Sequence, residues 1–390
     1  MMWRYLAATV ILVGGGLCPL EVWAGDAHSH EQVMTDAEAT FHEVKALVEA
    51  EYVDEIDADE LWQGATEGML NRLLQLEHHP TNHLVTPAEL NQLQEGIKGE
   101  ITGIGVMIQE ISGALVVTKT LDGGGAAEAG LIADDRILSI DGVPIRGMSL
   151  SEVAGKIRGP VDTTVSLLVQ RDTKEWTVEV SRSKVVVPYV RSEMVSPKVG
   201  LVRLASFTER APSDLAEEIE SLKDQGAQGL ILDLRHCPGG LLDSAVDVAS
   251  LFLPKNADIM TLEWAGQTGQ DVRKTKTKGA FAEMPVVVLI DSRSASGAEV
   301  VAAALSENDR ALLLGERTFG KGTVEKIFSL ENGWALKLSV AYFYSPKGNS
   351  WQGEGIAPDL ALLPSDGPPS NDAETDPAIL AAQSVLRVSR

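Results

Sequence analysis

The chain has 390 residues, of which 44% are hydrophobic and 23% are charged. This length exceeds what one hydrophobic core usually holds, and the composition excludes collagen-like and wholly disordered chains, so several folded domains are expected. The 33 basic and 56 acidic residues give a net charge of −23, which repels phosphate backbones and anionic lipid head groups and argues against nucleic-acid binding.

The first 24 residues are typical of a secretory signal. Arg4 precedes an apolar run over 5–20, and the small residue Ala24 closes the segment. The run is short for a transmembrane helix, which needs roughly 20 apolar residues. We therefore expect export to the periplasm or the extracellular space with cleavage after Ala24, and membrane anchoring by an uncleaved segment is the alternative. Cleavage would leave Cys237 as the only cysteine, so no internal disulfide is expected.

Residues 25–98 are predicted to form a mainly helical region. Apolar residues recur at helical spacing over 41–52 and 58–76, and Asp57 is a suitable N-cap for the second helix. The polar residues 25–35 are expected to be an unstructured tail.

Three histidines follow the second predicted helix at short intervals: His78, His79 and His83. A zinc site would need a fourth ligand on an ordered scaffold, so an exposed turn is the favoured interpretation. No metal site is predicted.

A compact β-rich domain of about 85 residues is predicted to begin near Gly103. Glycine and aspartate turns separate short β-rich segments, and Ser149 is a suitable N-cap for a helix over 150–157. The predicted strands are 106–108, 115–117, 136–140 and 165–169.

From near Gly200 the chain alternates between apolar strands and amphipathic helices. Strands that are apolar on both faces indicate a mainly parallel sheet covered by helices. Functional sites in such a sheet lie beyond the carboxyl ends of its strands. The predicted strands are 201–204, 229–234, 286–290 and 311–314, and the predicted helices are 211–224, 242–253 and 297–305.

Residues 364–390 begin as a linker rich in proline, serine and aspartate and end in a short helix predicted over 376–386. Docking of this helix on the core is favoured, and contact with a second subunit is the alternative.

Ser296 lies where the predicted strand 286–290 meets the predicted helix 297–305. A serine at such a corner holds its hydroxyl outside the core and close to free N–H groups at the start of the helix, where developing negative charge is stabilised. The position suits a nucleophile. Serine is also a preferred helix cap, and for an isolated serine capping is the commoner role.

Lys321 stands between Gly320 and Gly322, close to the aromatic Phe319. A lysine confined in this way can lose part of its hydration, which lowers the pKa of its ammonium group and lets the neutral amine act as a general base. Taken alone, Lys321 would be interpreted as a solvated loop lysine.

Four segments together resemble the C-terminal processing, or tail-specific, peptidases, which use a Ser-Lys dyad. They are LDLRHCPGGLLDSAVDVA at 232–249, SASGAE at 294–299, GERTFGKGTVE at 315–325 and GEGIAPD at 353–359, the last being similar to the family's closing strand motif. The resemblance implies a multidomain fold with an inserted PDZ domain and an α/β peptidase core of the ClpP/crotonase-like type. The expected parts are a signal peptide at 1–24, a helical region at 25–98, a PDZ domain at 99–185, a peptidase core at 186–363, and a linker with a short helix at 364–390.

The resemblance also implies the site residues. It makes Ser296 the nucleophile and Lys321 the base that takes its proton, with the oxyanion bound by the N–H groups of Gly297 and of Gly239 or Gly240. A glycine lets the backbone approach the substrate closely.

The segment Gly103-Ile104-Gly105-Val106 resembles the carboxylate-binding loop of a PDZ domain. Its successive N–H groups would bind the terminal carboxylate of a peptide that adds to the sheet as a strand.

Glu325 departs from the family pattern, which usually has a glutamine four residues after the lysine. An ionised carboxylate near Lys321 would favour the ammonium form and oppose its use as a base. Three arrangements are open: Glu325 is protonated, it points away while another acceptor orients the lysine, or the enzyme is slow at neutral pH. His236 and Cys237 are smaller departures, at positions where the family often has asparagines.

The favoured function is an exported serine endopeptidase that binds protein C-termini and cleaves peptide bonds through a Ser296 acyl-enzyme, with no metal or organic cofactor. The alternative is a PDZ-containing binding or scaffold protein whose peptidase site has decayed through Glu325.

A Cys237–His236 pair is disfavoured as a catalytic site, because neighbours on an extended segment point to opposite faces. No histidine spacing indicates a Ser-His-Asp triad with Ser296. Whether the protein forms a homo-oligomer or binds an activating adaptor is open.

Overall fold

The computed structural model of the protein describes residues 27–77, 82–111, 113–362 and 373–388. The expected signal peptide at 1–24, His78 and His79 lie outside the described residues. Two compact units divide the chain, at 1–72 and 73–390. No helix in the described part of the chain is long and apolar enough to cross a membrane.

The N-terminal region is mainly helical, as predicted. Its elements are α1 (Ala27–Glu51), α2 (Ala58–Glu77), β1 (His83–Val85) and α3 (Pro87–Lys98). The expectation of an unstructured tail over 25–35 is wrong, because α1 begins at Ala27. The carboxylate of Asp57 accepts the N–H of Asp59 at 2.9 Å, in agreement with its predicted capping role.

The β-rich domain has the four predicted strands and the predicted helix, together with further strands. Five of its strands form an antiparallel sheet in the order β3-β4-β5-β7-β8, and β2 pairs with β9 where the chain enters and leaves the domain. Ser149 and Glu152 form a capping box at the start of α5. The elements are β2 (Glu100–Gly103), β3 (Val106–Ile111), β4 (Ala114–Thr120), α4 (Gly125–Glu128), β5 (Arg136–Ile140), β6 (Val143–Pro144), α5 (Leu150–Ile157), β7 (Thr164–Arg171), β8 (Lys174–Ser181) and β9 (Ser183–Val186).

The core domain is built on a six-stranded sheet that is parallel except at its first pair. The strand order is β10-β11-β12-β15-β16-β19, and only β10 runs antiparallel to its neighbour. The elements are β10 (Val190–Ser196), β11 (Val199–Leu204), α6 (Ala211–Asp224), β12 (Gly229–Asp233), α7 (Leu242–Ser250), β13 (Asp258–Trp264), β14 (Asp271–Lys274), β15 (Val286–Ile290), α8 (Gly297–Glu307), β16 (Ala311–Gly315), β17 (Thr323–Ser329), β18 (Ala335–Tyr344), β19 (Leu360–Ala361) and α9 (Pro377–Val388).

Both faces of this sheet are buried, which explains the continuous apolar strands seen in the sequence. Leu230 and Leu232 pack into the main core with α6, α7 and α8, whereas Ile231 between them packs on the opposite face with Ile379 of α9. Successive side chains of a strand point to opposite faces of the sheet, so each face has its own core. The predicted docking of the C-terminal helix is therefore confirmed.

A second, antiparallel sheet was not predicted. It has the order β1-β18-β13-β14, and β17 also pairs with β18. This sheet holds the strand that follows Lys321. The segment 353–359, expected to resemble a closing strand, consists of turns and irregular backbone, and the short strand β19 follows it.

Candidate active site

Ser296 lies between β15 and α8 with its backbone in the left-handed region, at a φ of 54°. Few residues other than glycine adopt this conformation, which costs about 1–3 kcal/mol and persists because the surrounding structure holds it. The helix that follows is buried along most of its length, from Gly297 to Leu305. A rigid helix thus holds Ser296 at a sharp corner beyond the carboxyl end of the sheet.

Lys321 lies in the loop between β16 and β17, and other loop residues fix its backbone. Its carbonyl oxygen accepts the indole N–H of Trp351 at 3.1 Å. The next N–H, that of Gly322, donates to the side chain of Gln352 at 2.7 Å. The Lys321 side chain is 22% exposed, so it is partly shielded from water, as expected.

Glu299 joins the two segments from inside the protein. Its Oε2 atom accepts the N–H of Ser296 at 2.8 Å and the N–H of Lys321 at 2.9 Å. Its Oε1 atom accepts the hydroxyl of Thr318 at 2.6 Å and the N–H of Gly320 at 2.7 Å. Glu299 is fully buried, and burial raises the pKa of its carboxyl group, whereas the four hydrogen bonds favour the carboxylate.

Glu325 faces Lys321, so the arrangement in which it points away is wrong. Its Oε1 atom lies 2.9 Å from the Lys321 ammonium, and its Oε2 atom lies 2.9 Å from the ammonium of Lys337. Among the described residues, no hydrogen bond joins the Ser296 hydroxyl to the Lys321 amine. The lysine is thus paired with a carboxylate beside the candidate nucleophile.

Gly239 approaches Ser296 so closely that a side chain would not fit. Its φ is 98°, and a Cβ atom there would lie 2.7 Å from the Cβ of Ser296 and 2.8 Å from the nitrogen of Gly297. At Gly240 a Cβ atom would lie 2.4 Å from the carbonyl oxygen of Phe207. Gly239 and the start of α8 therefore meet beside Ser296, and Gly240 packs against the backbone of Phe207.

Buried ion pairs fix the loop that leads to Gly239. The guanidinium of Arg235 donates two hydrogen bonds of 2.8 Å to Asp233 and two, of 2.9 Å and 3.3 Å, to Asp376. Asp376 also accepts the N–H of Ala378 at the start of α9. The C-terminal helix is thereby connected to the loop that contains the candidate oxyanion donors.

The two other polar residues of this loop have structural partners. The His236 ring contacts Asp291 through Nε2 at 3.0 Å and Arg293 through Nδ1 at 3.3 Å. Cys237 is fully buried, and burial raises the pKa of its thiol to about 12. A thiol in this state is a poor nucleophile at neutral pH, which agrees with the rejection of a Cys237–His236 pair.

The candidate carboxylate-binding loop lies between β2 and β3. The carbonyl oxygens of Ile104 and Gly105 accept the N–H groups of Ala126 and Leu121, both at 2.8 Å. In the described part of the domain, β3 pairs only with β4, so its other edge is open for pairing.

Three residues that organise the site were not predicted: Glu299, Lys337 and Asp376. Glu299 had a sequence signal, because a serine followed three residues later by a glutamate at the start of a helix is the spacing of a capping box. Lys337 and Asp376 come from distant elements, and no local pattern indicates their contacts. The described residues contain no group of three or more potential metal ligands.

Comparison with protein-family models matches residues 198–362 to peptidase family S41 and residues 116–171 to a PDZ domain. A carboxy-terminal-processing protease of Bartonella bacilliformis is 34% identical over 332 residues, covering 83% of this chain and 74% of the relative. A carboxyl-terminal-processing protease of Synechocystis is 34% identical over 326 residues, covering 81% of this chain and 75% of that relative.

Among solved structures, a putative S41 protease from Bacteroides fragilis shares the fold with a TM-score of 0.54 at 16% identity, covering 89% of this chain and 97% of that one. The fold is that of an S41 peptidase with a PDZ domain. The chain belongs to the family of carboxy-terminal processing proteases, which are serine peptidases.

Proposed function

We propose that the protein is an exported serine endopeptidase in which Ser296 is the nucleophile and Lys321 the general base, and which binds substrate C-termini through its PDZ domain. The observation that supports this most directly is the shared Oε2 atom of Glu299, to which the backbone N–H groups of Ser296 and Lys321 both donate. A common acceptor holds the two segments together at the end of the sheet where α/β sites form.

In the proposed reaction, the neutral amine of Lys321 takes the Ser296 proton as the serine oxygen attacks the carbonyl carbon of a peptide bond. The N–H groups of Gly297 and of Gly239 or Gly240 donate to the oxyanion, and losing one such donor typically costs about 3 kcal/mol in the barrier. The Lys321 ammonium then protonates the leaving amine. Water, deprotonated by the same lysine, hydrolyses the acyl-enzyme.

The ion pair between Lys321 and Glu325 must open before this reaction starts. A lysine that serves as a base has to lose its proton and turn its nitrogen to the Ser296 hydroxyl. The nearby carboxylate binds the ammonium form, whereas the reaction needs the neutral amine, which forms as the pH rises. We therefore expect slow cleavage at neutral pH and faster cleavage in alkaline solution.

The PDZ domain would present the substrate. The open edge of β3 can accept a peptide as an additional antiparallel strand, and the loop at 103–106 lies where that strand's terminal carboxylate would end. Substrates are therefore proteins or peptides with free C-termini. Export is supported by the signal-like sequence at 1–24 alone.

The second candidate function is a peptide-binding or scaffold protein without peptidase activity. The pairing of Lys321 with Glu325 favours it, because a lysine that stays protonated cannot accept the serine proton. Both functions share the PDZ domain, so peptide binding alone does not distinguish them.

The test uses a purified chain of residues 25–390 incubated with an unfolded protein at about pH 7 and about pH 9. The proposal expects cleavage that is faster at the higher pH and absent from both Ser296→Ala and Lys321→Ala. Binding of C-terminal peptides with no cleavage at either pH would instead support the scaffold function. A Ser306→Ala variant, changed near the other end of α8, is a matched control that should cleave normally.

A further inference from the structure

We propose that Lys337 is a positioning residue for the Lys321 base, because it binds one oxygen of Glu325 and so weakens the hold of that carboxylate on Lys321. This inference rests on the proposed Ser-Lys function. It assigns a role to a lysine on a strand that the catalytic segments do not include.

The strand register explains how Lys337 reaches the site. On β18, Lys337 lies directly opposite Ile327 of β17, two residues beyond Glu325. Residues two apart on a strand project from the same face, so Lys337 and Glu325 are diagonal neighbours. The carboxylate then lies between two ammonium groups, with one oxygen 2.9 Å from Lys321 and the other 2.9 Å from Lys337.

The charges in this cluster are partly shielded from water. The side chains of Lys321, Glu325 and Lys337 are 22%, 13% and 20% exposed. Interactions between charges are stronger there than on an open surface, and salt screens them less. Lys337 therefore acts on Lys321 in two ways. It competes with Lys321 for the carboxylate of Glu325, and its own positive charge disfavours a second ammonium group nearby. Both effects favour the neutral amine that the reaction needs.

Other titratable groups surround the cluster on the neighbouring elements. His83 on β1 is the cross-strand partner of Lys337, and Tyr342 on β18 is the partner of Thr323. Glu299 on α8 binds the N–H of Lys321. These groups are unchanged in the variants below, so differences between the variants report on Lys337 and Glu325.

The experiment measures the reactivity of the Lys321 amine directly. In a Ser296→Ala background, the reaction of Lys321 with acetic anhydride is followed over a range of pH by mass spectrometry, which requires no catalytic turnover. Lys337→Met should slow the labelling of Lys321 near neutral pH several-fold, because Glu325 then binds Lys321 alone, and Lys337→Arg should label like the parent. Lys326→Met is the matched control, because its ammonium lies over the ring of Phe328 at 5.1 Å, and it should leave the labelling of Lys321 unchanged.

Cleavage provides the second readout, in chains that retain Ser296. Lys337→Met should lower cleavage near pH 7 about tenfold and approach the parent rate in alkaline solution, since the amine still forms there. The double variant Glu325→Gln with Lys337→Met should recover, because the carboxylate that held Lys321 is gone. If Lys337 only stabilised the fold, the double variant would stay as inactive as Lys337→Met.

Two results would overturn the inference: an unchanged rate of Lys321 labelling in Lys337→Met, or a double variant as impaired as the single one. If Lys337→Met does not unfold cooperatively on heating, Lys337→Gln takes its place, because glutamine keeps a hydrogen-bond donor without the charge. Failure of the proposed function looks different, because neither the parent nor Ser296→Ala would then cleave at any pH, whereas the labelling comparison does not depend on cleavage.

Discussion

Ser296 and Lys321 donate their backbone N–H groups to the same carboxylate oxygen of Glu299, at 2.8 Å and 2.9 Å. The two residues belong to segments separated by a whole helix and strand, so their relative position depends on how the lysine loop contacts α8. Glu299 provides that contact from the buried side. Its role is positional, because its carboxylate is occupied by four hydrogen bonds within the protein.

Glu299→Gln should give a folded but much less active enzyme. A glutamine offers one acceptor oxygen, and its NH₂ group would face N–H donors that need an acceptor. We expect kcat to fall about 100-fold, because small displacements of catalytic groups cost factors of this size. Glu307→Gln, at the other end of α8, is the matched control, since its carboxylate also binds a neighbouring loop. Parent-like kcat in Glu299→Gln would contradict the positioning role.

Glu325→Gln should be as active as the parent or more active near neutral pH. Removing the carboxylate removes the ion pair that holds the Lys321 ammonium, so the lysine nitrogen is freer to turn to the Ser296 hydroxyl. Cleavage rates measured across a range of pH check this. Loss of activity at every pH would mean instead that the carboxylate takes part in the reaction.

Much of the core domain could be predicted because its elements have local signals. The helix α6 (Ala211–Asp224) and the strand β15 (Val286–Ile290) have the predicted bounds, since the first is amphipathic and the second is apolar on both faces. The antiparallel sheet of β13, β17 and β18 was missed, because its strands mix buried, half-buried and exposed residues without a clear period of two. Their pairing also joins segments far apart in sequence.

The partners of the site residues are the part that sequence could not supply. Asp376 was predicted to begin a helix, and it does, but its contact with Arg235 spans 141 positions. The orientation of Glu325 also had to come from the structure, because the residue could as well have turned away from Lys321. Long-range side-chain contacts depend on tertiary packing, for which short motifs provide no signal.

Gly239→Ala should abolish cleavage while the protein still folds. A methyl group at this position would lie 2.7 Å from the Cβ of Ser296, and the φ of 98° is unfavourable for alanine. The loop must then move away from Gly297, so the oxyanion loses a donor and kcat should fall by at least about 100-fold. Gly96→Ala on α3 is the control, because nothing lies within 4 Å of the added methyl group. A Gly239→Ala enzyme with normal kcat would exclude this loop from the oxyanion site.

Asp376→Asn should lower both stability and activity. Arg235 and Asp376 have side chains only 7% and 4% exposed, and losing one charge leaves a buried guanidinium with a weaker partner. We expect about 2 kcal/mol of lost stability in denaturant unfolding and a lower kcat, because Arg235 precedes the loop with Gly239. Asp224→Asn, on the exposed end of α6, is the matched control.

The same ion pair predicts a loss of stability in acid. Burial alone would raise the pKa of Asp376, but its bonds with Arg235 and with the N–H groups of Ala378 and Ile379 outweigh burial and lower it. A carboxyl group with a lowered pKa contributes stability above its unfolded-state pKa of about 4, and that contribution disappears as the pH falls through the lower folded-state value. The difference in unfolding free energy between the parent and Asp376→Asn should therefore shrink below about pH 4. A difference that stays constant with pH would mean that the carboxylate charge is not the cause.

Gly105→Ala should weaken the binding of C-terminal peptides. An added Cβ atom would lie 2.7 Å from the Cα of Gly124, and a φ of 74° disfavours alanine, so the loop between β2 and β3 must change shape. We expect at least about a tenfold rise in Kd, measured by fluorescence anisotropy with a labelled peptide. Gly113→Ala is the matched control, because its φ of 76° imposes the same backbone strain while nothing lies within 4 Å of the added methyl group.

Peptide amidation tests whether the weakened contact is the one to the terminal carboxylate. An amidated peptide should bind the parent weakly, because a charge-assisted hydrogen bond is lost, and Gly105→Ala should then cause little further loss. If amidated and free peptides bind the parent equally well, the loop at 103–106 does not bind the carboxylate. The substrate would then have to be held by the open edge of β3 without recognition of its C-terminus.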